Sequence, residues 1–266
     1  MKRPFFNEFL YQVFALILST IIVHAVYVTE IRPRATEIID AQRVRLQEEF
    51  GYTPERTIWV LVRDYEQEAC FILMFWAFAI MGYKAYVAVN ERSLLQRNLL
   101  HVREGVKILP EDTREYSRAL QSLPDRVRDT LLPRVLLSSL ERFGSTKNVQ
   151  DVSSVANSLC ESESERLESE LSMIRYIAWA IPSIGFIGTV RGIGNALGEA
   201  HRAVEGDIAG VTENLGIAFN STFVALMISI VVMFLVHQLQ LLQERLVFDT
   251  QTYVDRNLIR HMQGKD

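Results

Sequence analysis

Residues 174–197 read IRYIAWAIPSIGFIGTVRGIGNAL, a run that is apolar over almost its whole length. About 20 apolar residues in an α-helix cross the roughly 30 Å hydrocarbon layer of a membrane. Three other runs, at 9–28, 69–89 and 215–236, have a similar length and character. Because such runs are too long for ordinary core helices, the sequence predicts an all-α integral membrane protein with four transmembrane helices.

The polar segments between these runs set the expected domain organisation. The prediction divides the chain into the N-terminus and first helix at 1–29, an outer loop at 30–68, the second helix at 69–89, a cytoplasmic helical region at 90–172, the third helix at 173–199, a short outer loop at 200–214, the fourth helix at 215–237 and a cytoplasmic C-terminal helix at 238–266. The first run is longer than the apolar part of a signal peptide, and no small-residue cleavage site follows it. We therefore expect it to be retained as a helix.

The flanking charges orient these helices, because Lys and Arg concentrate on the cytoplasmic side of a membrane. Lys2 and Arg3 precede the first run. Basic residues also follow the second run: Lys84, Arg92, Arg97, Arg103 and Lys107. Arginines in the first outer loop argue for the opposite orientation: Arg32, Arg34, Arg43 and Arg45. On balance, both termini are predicted to be cytoplasmic.

The predicted cytoplasmic region at 90–172 is interrupted at Pro110, Pro124 and Pro133, so several helices are expected there. A patch rich in Glu and Ser follows at 161–170. It is either a contact for another protein or a solvated helix face. We favour the solvated face, because charge runs on helices usually face water.

The composition argues against a nucleic-acid-binding protein and against an enzyme. The net charge is −4, so there is no basic field suited to nucleic acid. The five histidines are dispersed, without an i, i+4 pair, so no metal or other cofactor is expected. No arrangement of Ser, His and Asp or of Cys and His predicts catalysis. His24, in the first run, is either a proton relay or an interfacial side chain, and the second interpretation is favoured.

Small residues form a stripe along the third helix and another along the fourth. In the third helix they are Gly185, Gly188, Thr189 and Gly192. In the fourth they are Ala218, Thr222, Ala225 and Ser229. Small residues let helices approach closely in lipid, where packing drives association. We expect these faces to pack against neighbouring copies of the chain, with a thin polar line of hydroxyl groups to which Asn220 and Ser221 add.

The pattern Pro182-x-x-Gly185-x-x-Gly188-Thr189-x-x-Gly192 resembles the signature of a pore helix in the MotA/TolQ/ExbB proton channel family. The segment at 216–222, GIAFNST, resembles the Ala-x-x-x-Thr core of that family's last helix. The topology agrees, since a large cytoplasmic region precedes two helices joined by a short outer loop. The resemblance covers about 172–262, roughly a third of the chain.

This resemblance implies a pore-forming subunit of an ion-driven motor in the bacterial inner membrane. Five copies of the chain would form a homopentameric ring around two copies of a MotB/TolR/ExbD-like partner, whose single helix carries an essential aspartate. The implied ion pathway consists of Thr189, Thr222, Ser221 and Asn220. The positions implied for helix packing or bending are Pro182, Gly185, Gly188, Gly192, Ala218 and Ala225. A competing interpretation of Thr222 is a hydrogen bond to its own i−4 carbonyl, that of Ala218.

Two positions depart from the family's pattern. TolQ and ExbB carry a glutamate five residues before the last-helix threonine, and here that residue is Ile217. Since no carboxylate was found in the apolar runs, we expect the titrating group to come from the partner. Arg191 stands where relatives have an apolar residue, and an arginine in a membrane helix is costly unless it faces an interior or water. It forms a barrier to cations, meets a partner's carboxylate, or contacts a lipid headgroup or another subunit.

Two other functions compete with the motor. One is a non-conducting four-helix scaffold or sensory module that binds partners through its cytoplasmic helices. A small transporter ranks third, because no internal repeat with broken helices is found. Within the motor interpretation, hydroxyl and amide oxygens suit protons or sodium equally, and the load is open among flagellar rotation, outer-membrane coupling, motility and defence.

Overall fold

The computed structural model describes residues 3–48, 57–100 and 106–263. Every named secondary-structure element in these ranges is helical. Four of the described segments are long and apolar enough to cross a membrane: Glu8–Arg45, Tyr65–Leu94, Val149–Gly198 and Ala209–His261. Each contains one of the predicted apolar runs, so the predicted all-α fold with four membrane-spanning helices is confirmed. Lys2 and Arg103, two of the residues used for orientation, lie outside the described residues.

The elements follow one another along the chain as α1 (Arg3–Val26), a π-helical turn (Tyr27–Ile31), α2 (Arg32–Glu48), α3 (Ile58–Leu61), α4 (Tyr65–Leu94), α5 (Thr113–Gln121), α6 (Asp125–Arg128), α7 (Leu131–Thr146), α8 (Val149–Glu170), α9 (Ser172–Gly198), α10 (Ala200–Val204), α11 (Ala209–Asn257) and a 3₁₀ turn (Ile259–His261). The chain divides into two compact units. The first unit is Met1–Gly82 with Met173–Val236, and the second is Tyr83–Ser172 with His237–Asp266.

In the first unit, the first helix does not end with its apolar run. It continues through the π-helical turn into α2, so residues 32–48 of the predicted outer loop are α-helical. Pro33 has no N–H to offer the carbonyl of Thr29, which interrupts the α-helical ladder. The N–H of Arg32 bonds instead to the carbonyl of Tyr27, five residues back. Charged pairs at i, i+4 spacing, such as Glu30 with Arg34 at 2.6 Å, then support a helix without an apolar run.

Hydrogen bonds attach α1 to α4 in the same unit. The indole Nε1 of Trp76 donates to the carbonyl of Gln12 at 2.9 Å, and the hydroxyl of Tyr11 donates to the carbonyl of Ala79 at 3.1 Å. The outward faces are strongly apolar, since Phe186 and Phe219 are 63% and 65% exposed. Exposed apolar surface on this scale is what lipid or further protein covers.

The second unit has a conventional apolar core. Its fully buried members include Leu136, Leu140 and Phe143 of α7, Val152 of α8 and Val254 of α11. A tight turn joins α7 to α8, in which Lys147 adopts a left-handed conformation with φ at 57°. The side chain of Asn148 then accepts a hydrogen bond from the N–H of Gln150 at 2.8 Å and caps α8.

The acidic patch of α8, in the second unit, is only partly a solvated face. The carboxylate of Glu163 is buried and accepts hydrogen bonds from Arg134 and Arg166. Glu170 lies 2.9 Å from the buried ammonium of Lys84. The favoured interpretation is therefore wrong for these two residues, because their charges are compensated inside the protein.

Candidate functional site

The glycine stripe of α9 lies directly against α11 of the same chain. Three close approaches follow one another: Gly185 on Ala225, Gly188 on Ser221, and Gly192 on Ala218. A Cβ atom on Gly185 would lie 2.3 Å from the Cβ of Ala225, and one on Gly188 would lie 2.5 Å from the Cβ of Ser221. Any larger residue would collide there. The stripe was expected to meet a neighbouring copy, and this is wrong: the short link between α9 and α11 presents the chain's own fourth helix instead.

The hydroxyl groups of Thr189 and Thr222 meet within this contact. Thr222 Oγ1 donates to the carbonyl of Gly185 at 3.1 Å, and Thr189 Oγ1 donates to the carbonyl of Ala218 at 2.9 Å. The two hydroxyl oxygens also contact each other. Thr222 therefore bonds a carbonyl of α9 instead of its own i−4 carbonyl, that of Ala218, which accepts from Thr189. Each hydroxyl carries one hydrogen and can accept others, so the pair can redistribute its hydrogens between two helices without moving the backbone.

Ser221 extends this line, whereas Asn220 does not. Ser221 is fully buried, faces Gly188, and donates to the carbonyl of Ile217 at 2.9 Å. Asn220 is half-buried, and among the described residues no hydrogen bond joins it to Thr189, Ser221 or Thr222. We define the hydroxyl line as Thr189, Ser221 and Thr222. The structure thus brings three of the four predicted pathway residues together.

Pro182 creates a further polar link between α9 and α11. A proline has no N–H for the carbonyl four residues earlier, which here is that of Ala178. The hydroxyl of Ser229 donates to this carbonyl at 3.1 Å. A backbone acceptor freed inside a membrane needs a partner of this kind. The hydroxyl of Ser229 on α11 therefore replaces the hydrogen-bond donor that Pro182 lacks on α9.

This link predicts a coupling between two substitutions. Ser229→Ala leaves the carbonyl of Ala178 without a partner and is expected to lower the free energy of unfolding by about 1 kcal/mol. In a Pro182→Ala background the alanine N–H satisfies that carbonyl, so Ser229→Ala is expected to have almost no effect. Thermal unfolding of the four variants in detergent micelles, arranged as a double-mutant cycle, measures the coupling. Strictly additive effects would show that the two residues act separately.

Arg191 is paired within the first unit, which none of the interpretations offered for it anticipated. Its Nε and Nη2 atoms lie 2.7 and 2.8 Å from Oε1 and Oε2 of Glu66, so the guanidinium engages both carboxylate oxygens. The side chain of Glu66 is only 11% exposed. Its Cγ lies 3.2 Å from the point that a Cβ on Gly188 would occupy, beside Ser221. The first turn of α4 thus places a carboxylate next to the hydroxyl line.

Glu68, a second carboxylate in the first turn of α4, is buried between the side chains of His24 and Arg32. Its Oε1 lies 2.6 Å from Nδ1 of His24, and its Oε2 contacts Nη2 of Arg32. Residues eight apart in a regular α-helix are about 80° apart around the axis; the wider π-helical turn between them brings both to one carboxylate. His24 therefore contacts a carboxylate of the protein, while its side chain stays 60% exposed; the interfacial interpretation stays a prediction. Asp64, the residue directly before α4, is also largely buried, and this burial raises the pKa of its carboxyl group.

The sequence contained one signal for Glu66 that was not used. An arginine in a membrane helix needs a counter-ion, and the acidic residues that begin α4 were the nearest candidates. No comparable signal marked Ser229, because its partner is a backbone carbonyl.

These features define a multi-pass helical membrane protein with a line of hydroxyl groups inside a glycine-packed helix pair. The model of the MotA/TolQ/ExbB proton channel family matches residues 127–252, and the predicted resemblance is confirmed. This stretch of the chain is similar to that family, whose model describes proton channels. The matched residues include all of α9 and the part of α11 that carries Thr222. No curated protein matches the chain.

Proposed function

We propose that the chain is the pore-forming subunit of an ion-driven motor in the bacterial inner membrane. Both termini lie in the cytoplasm, and five copies surround two copies of a MotB/TolR/ExbD-like partner with a single helix. Protons or sodium ions flow inward past the hydroxyl line to an aspartate of that helix. The partner then moves relative to the ring.

The hydroxyl pair of Thr189 and Thr222 is the observation that supports this proposal. Polar side chains inside a membrane helix pair are costly and usually mark a pathway. Here both hydroxyls bond across the helix pair, to Gly185 and Ala218, and Thr189 also reaches its own i−4 carbonyl, that of Gly185, at 3.4 Å. Their hydrogens have alternative acceptors, as passage of a proton along a line requires.

The physical coupling follows from the cost of charge in an apolar environment. An ionised aspartate cannot face an apolar wall, whereas the neutral form can. Uptake of an ion therefore changes which position of the partner helix is stable. One charge that crosses 100 mV releases about 2.3 kcal/mol, which is enough to bias such a step.

Reconstitution of the two-protein complex tests the proposal. We expect the neighbouring genes to encode a short protein with one aspartate-bearing helix. The chain and this protein are purified together, their mass is determined by native mass spectrometry, and proton uptake into vesicles is followed with a pH-sensitive dye. A mass of five plus two chains and uptake that disappears on replacing the partner's aspartate by asparagine are expected. Vesicles that contain the chain alone are the control.

A complex that assembles but conducts neither protons nor sodium would contradict the channel and support the non-conducting scaffold. A stable monomer or dimer in the presence of the partner would contradict the ring.

A further inference from the structure

Glu66 is the carboxylate that this chain places beside the hydroxyl line, and both of its oxygens are already occupied. Arg191 engages them in a fork at 2.7 and 2.8 Å. The planar guanidinium matches a carboxylate in this geometry better than any other side chain. Asp64, which also feels the charge of Arg191, lies with Oδ1 at 3.8 Å from Arg63, while its Oδ2 is buried and has no hydrogen-bond partner among the described residues. A metal cation that approaches the line therefore finds the Glu66 carboxylate closed to it.

The hydroxyl line leaves a metal cation no room either. The hydroxyls of Thr189, Ser221 and Thr222 all donate to backbone carbonyls within the helix pair. Their oxygens keep lone pairs, but a sodium ion that binds them would have to separate helices that touch at Gly185 and Gly188. A proton needs only an exchange of hydrogen-bond donors, which leaves the helices in place.

We propose that Arg191 and Glu66 are the specificity-determining pair of this pathway: the guanidinium keeps the carboxylate from serving as a metal-cation site, so the pathway carries protons and excludes sodium. This inference rests on the proposed channel function and adds to it the residues that select the ion. It also gives Arg191 a role that its exposed position alone would not explain.

Removal of Arg191 should create the missing sodium site. In Arg191→Gln both carboxylate oxygens of Glu66 lose their partner in a largely buried position, so they become available as ligands for a metal cation. A ligand that binds only the folded state raises its stability. Replacing choline by sodium at constant ionic strength is therefore expected to raise the melting temperature of Arg191→Gln, but not that of the unmodified chain. The double variant Arg191→Gln/Glu66→Gln is expected to lose the sodium effect.

Ion flux through the reconstituted two-protein complex gives the second measurement. The unmodified complex is expected to carry protons at a rate that is independent of sodium. Arg191→Gln is expected to gain sodium flux of about tenfold over the unmodified complex, the rate equivalent of one charge-assisted hydrogen bond. Arg43→Gln is the matched control, because its partner Glu213 is also held by Arg63 at 3.3 Å. It should gain nothing.

The outcomes separate the two proposals. Sodium flux through the unmodified complex as fast as proton flux overturns the selectivity inference and leaves the channel standing. A complex that conducts no ion overturns the channel, while the melting experiment still decides whether Arg191 shields Glu66. An Arg191→Gln variant that stays insensitive to sodium in both measurements overturns the inference. If this variant does not accumulate, Arg191→Lys replaces it: lysine contacts one oxygen only, so a weaker sodium effect is expected, and its absence also overturns the inference.

Discussion

Gly188→Leu is expected to abolish recovery of a folded subunit, whereas Gly194→Leu, six residues further along the same helix, should leave it intact. A Cβ on Gly188 would lie 2.5 Å from the Cβ of Ser221, so the leucine forces α9 away from α11. A Cβ on Gly194 would have no neighbour within 4 Å among the residues that the structure describes. The two variants add the same side chain to the same helix and differ only in what that side chain meets.

Overpacking of a close contact costs up to about 3 kcal/mol, and helix association in lipid depends mainly on packing. The measurement is the melting temperature and the yield of monodisperse protein on size-exclusion chromatography, for both leucine variants side by side. Equal behaviour of Gly188→Leu and Gly194→Leu would show that the α9–α11 contact does not have the geometry described here.

Thr222→Val is expected to leave the protein assembled and to reduce proton flux by about tenfold, the rate equivalent of one lost hydrogen bond. Valine keeps the shape of threonine and removes the hydroxyl that bonds to the carbonyl of Gly185 and contacts Thr189. Thr222→Ser restores the hydroxyl and should restore most of the flux. The readout is the dye-reported proton uptake of the reconstituted complex.

Thr212→Val is the matched control for this substitution, since Thr212 lies on the same helix and its hydroxyl bonds its own i−4 carbonyl, that of Ile208, at 2.9 Å. It should conduct like the unmodified protein. If Thr222→Val also conducts normally, the hydroxyl of Thr222 is only a packing element and Ser221 becomes the next candidate.

The number and position of the membrane helices could be predicted because bilayer thickness translates directly into a count of apolar residues. The third run, predicted at 173–199, coincides almost residue for residue with α9. The close approach at Gly185, Gly188 and Gly192 could also be predicted, because spacings of three and four residues put these glycines on one face. Thr189 and Thr222 of the hydroxyl line followed from the same spacing, and Ser221 was expected as an added polar residue beside them.

The groups that contact the stripe of small residues and the side chain of Arg191 could not be predicted. A stripe of small residues shows that a helix approaches, but not whether that helix belongs to the same chain. The same holds for Arg191, whose need for a counter-ion was evident while Glu66, 125 residues earlier in the chain, was not. The helix that continues to Glu48 was missed for a different reason: its support comes from charged pairs and leaves no apolar run to count.

The closure of α9 on α11 within one chain bears on how such a subunit is made. Only residues 199–208 separate the two helices, so both enter the bilayer in immediate succession during synthesis. Complementary helices that are tethered in this way associate without waiting for a second molecule. Each newly inserted copy therefore reaches the membrane with its hydroxyl line already built. In the proposed ring, no step is then needed in which this line forms between chains.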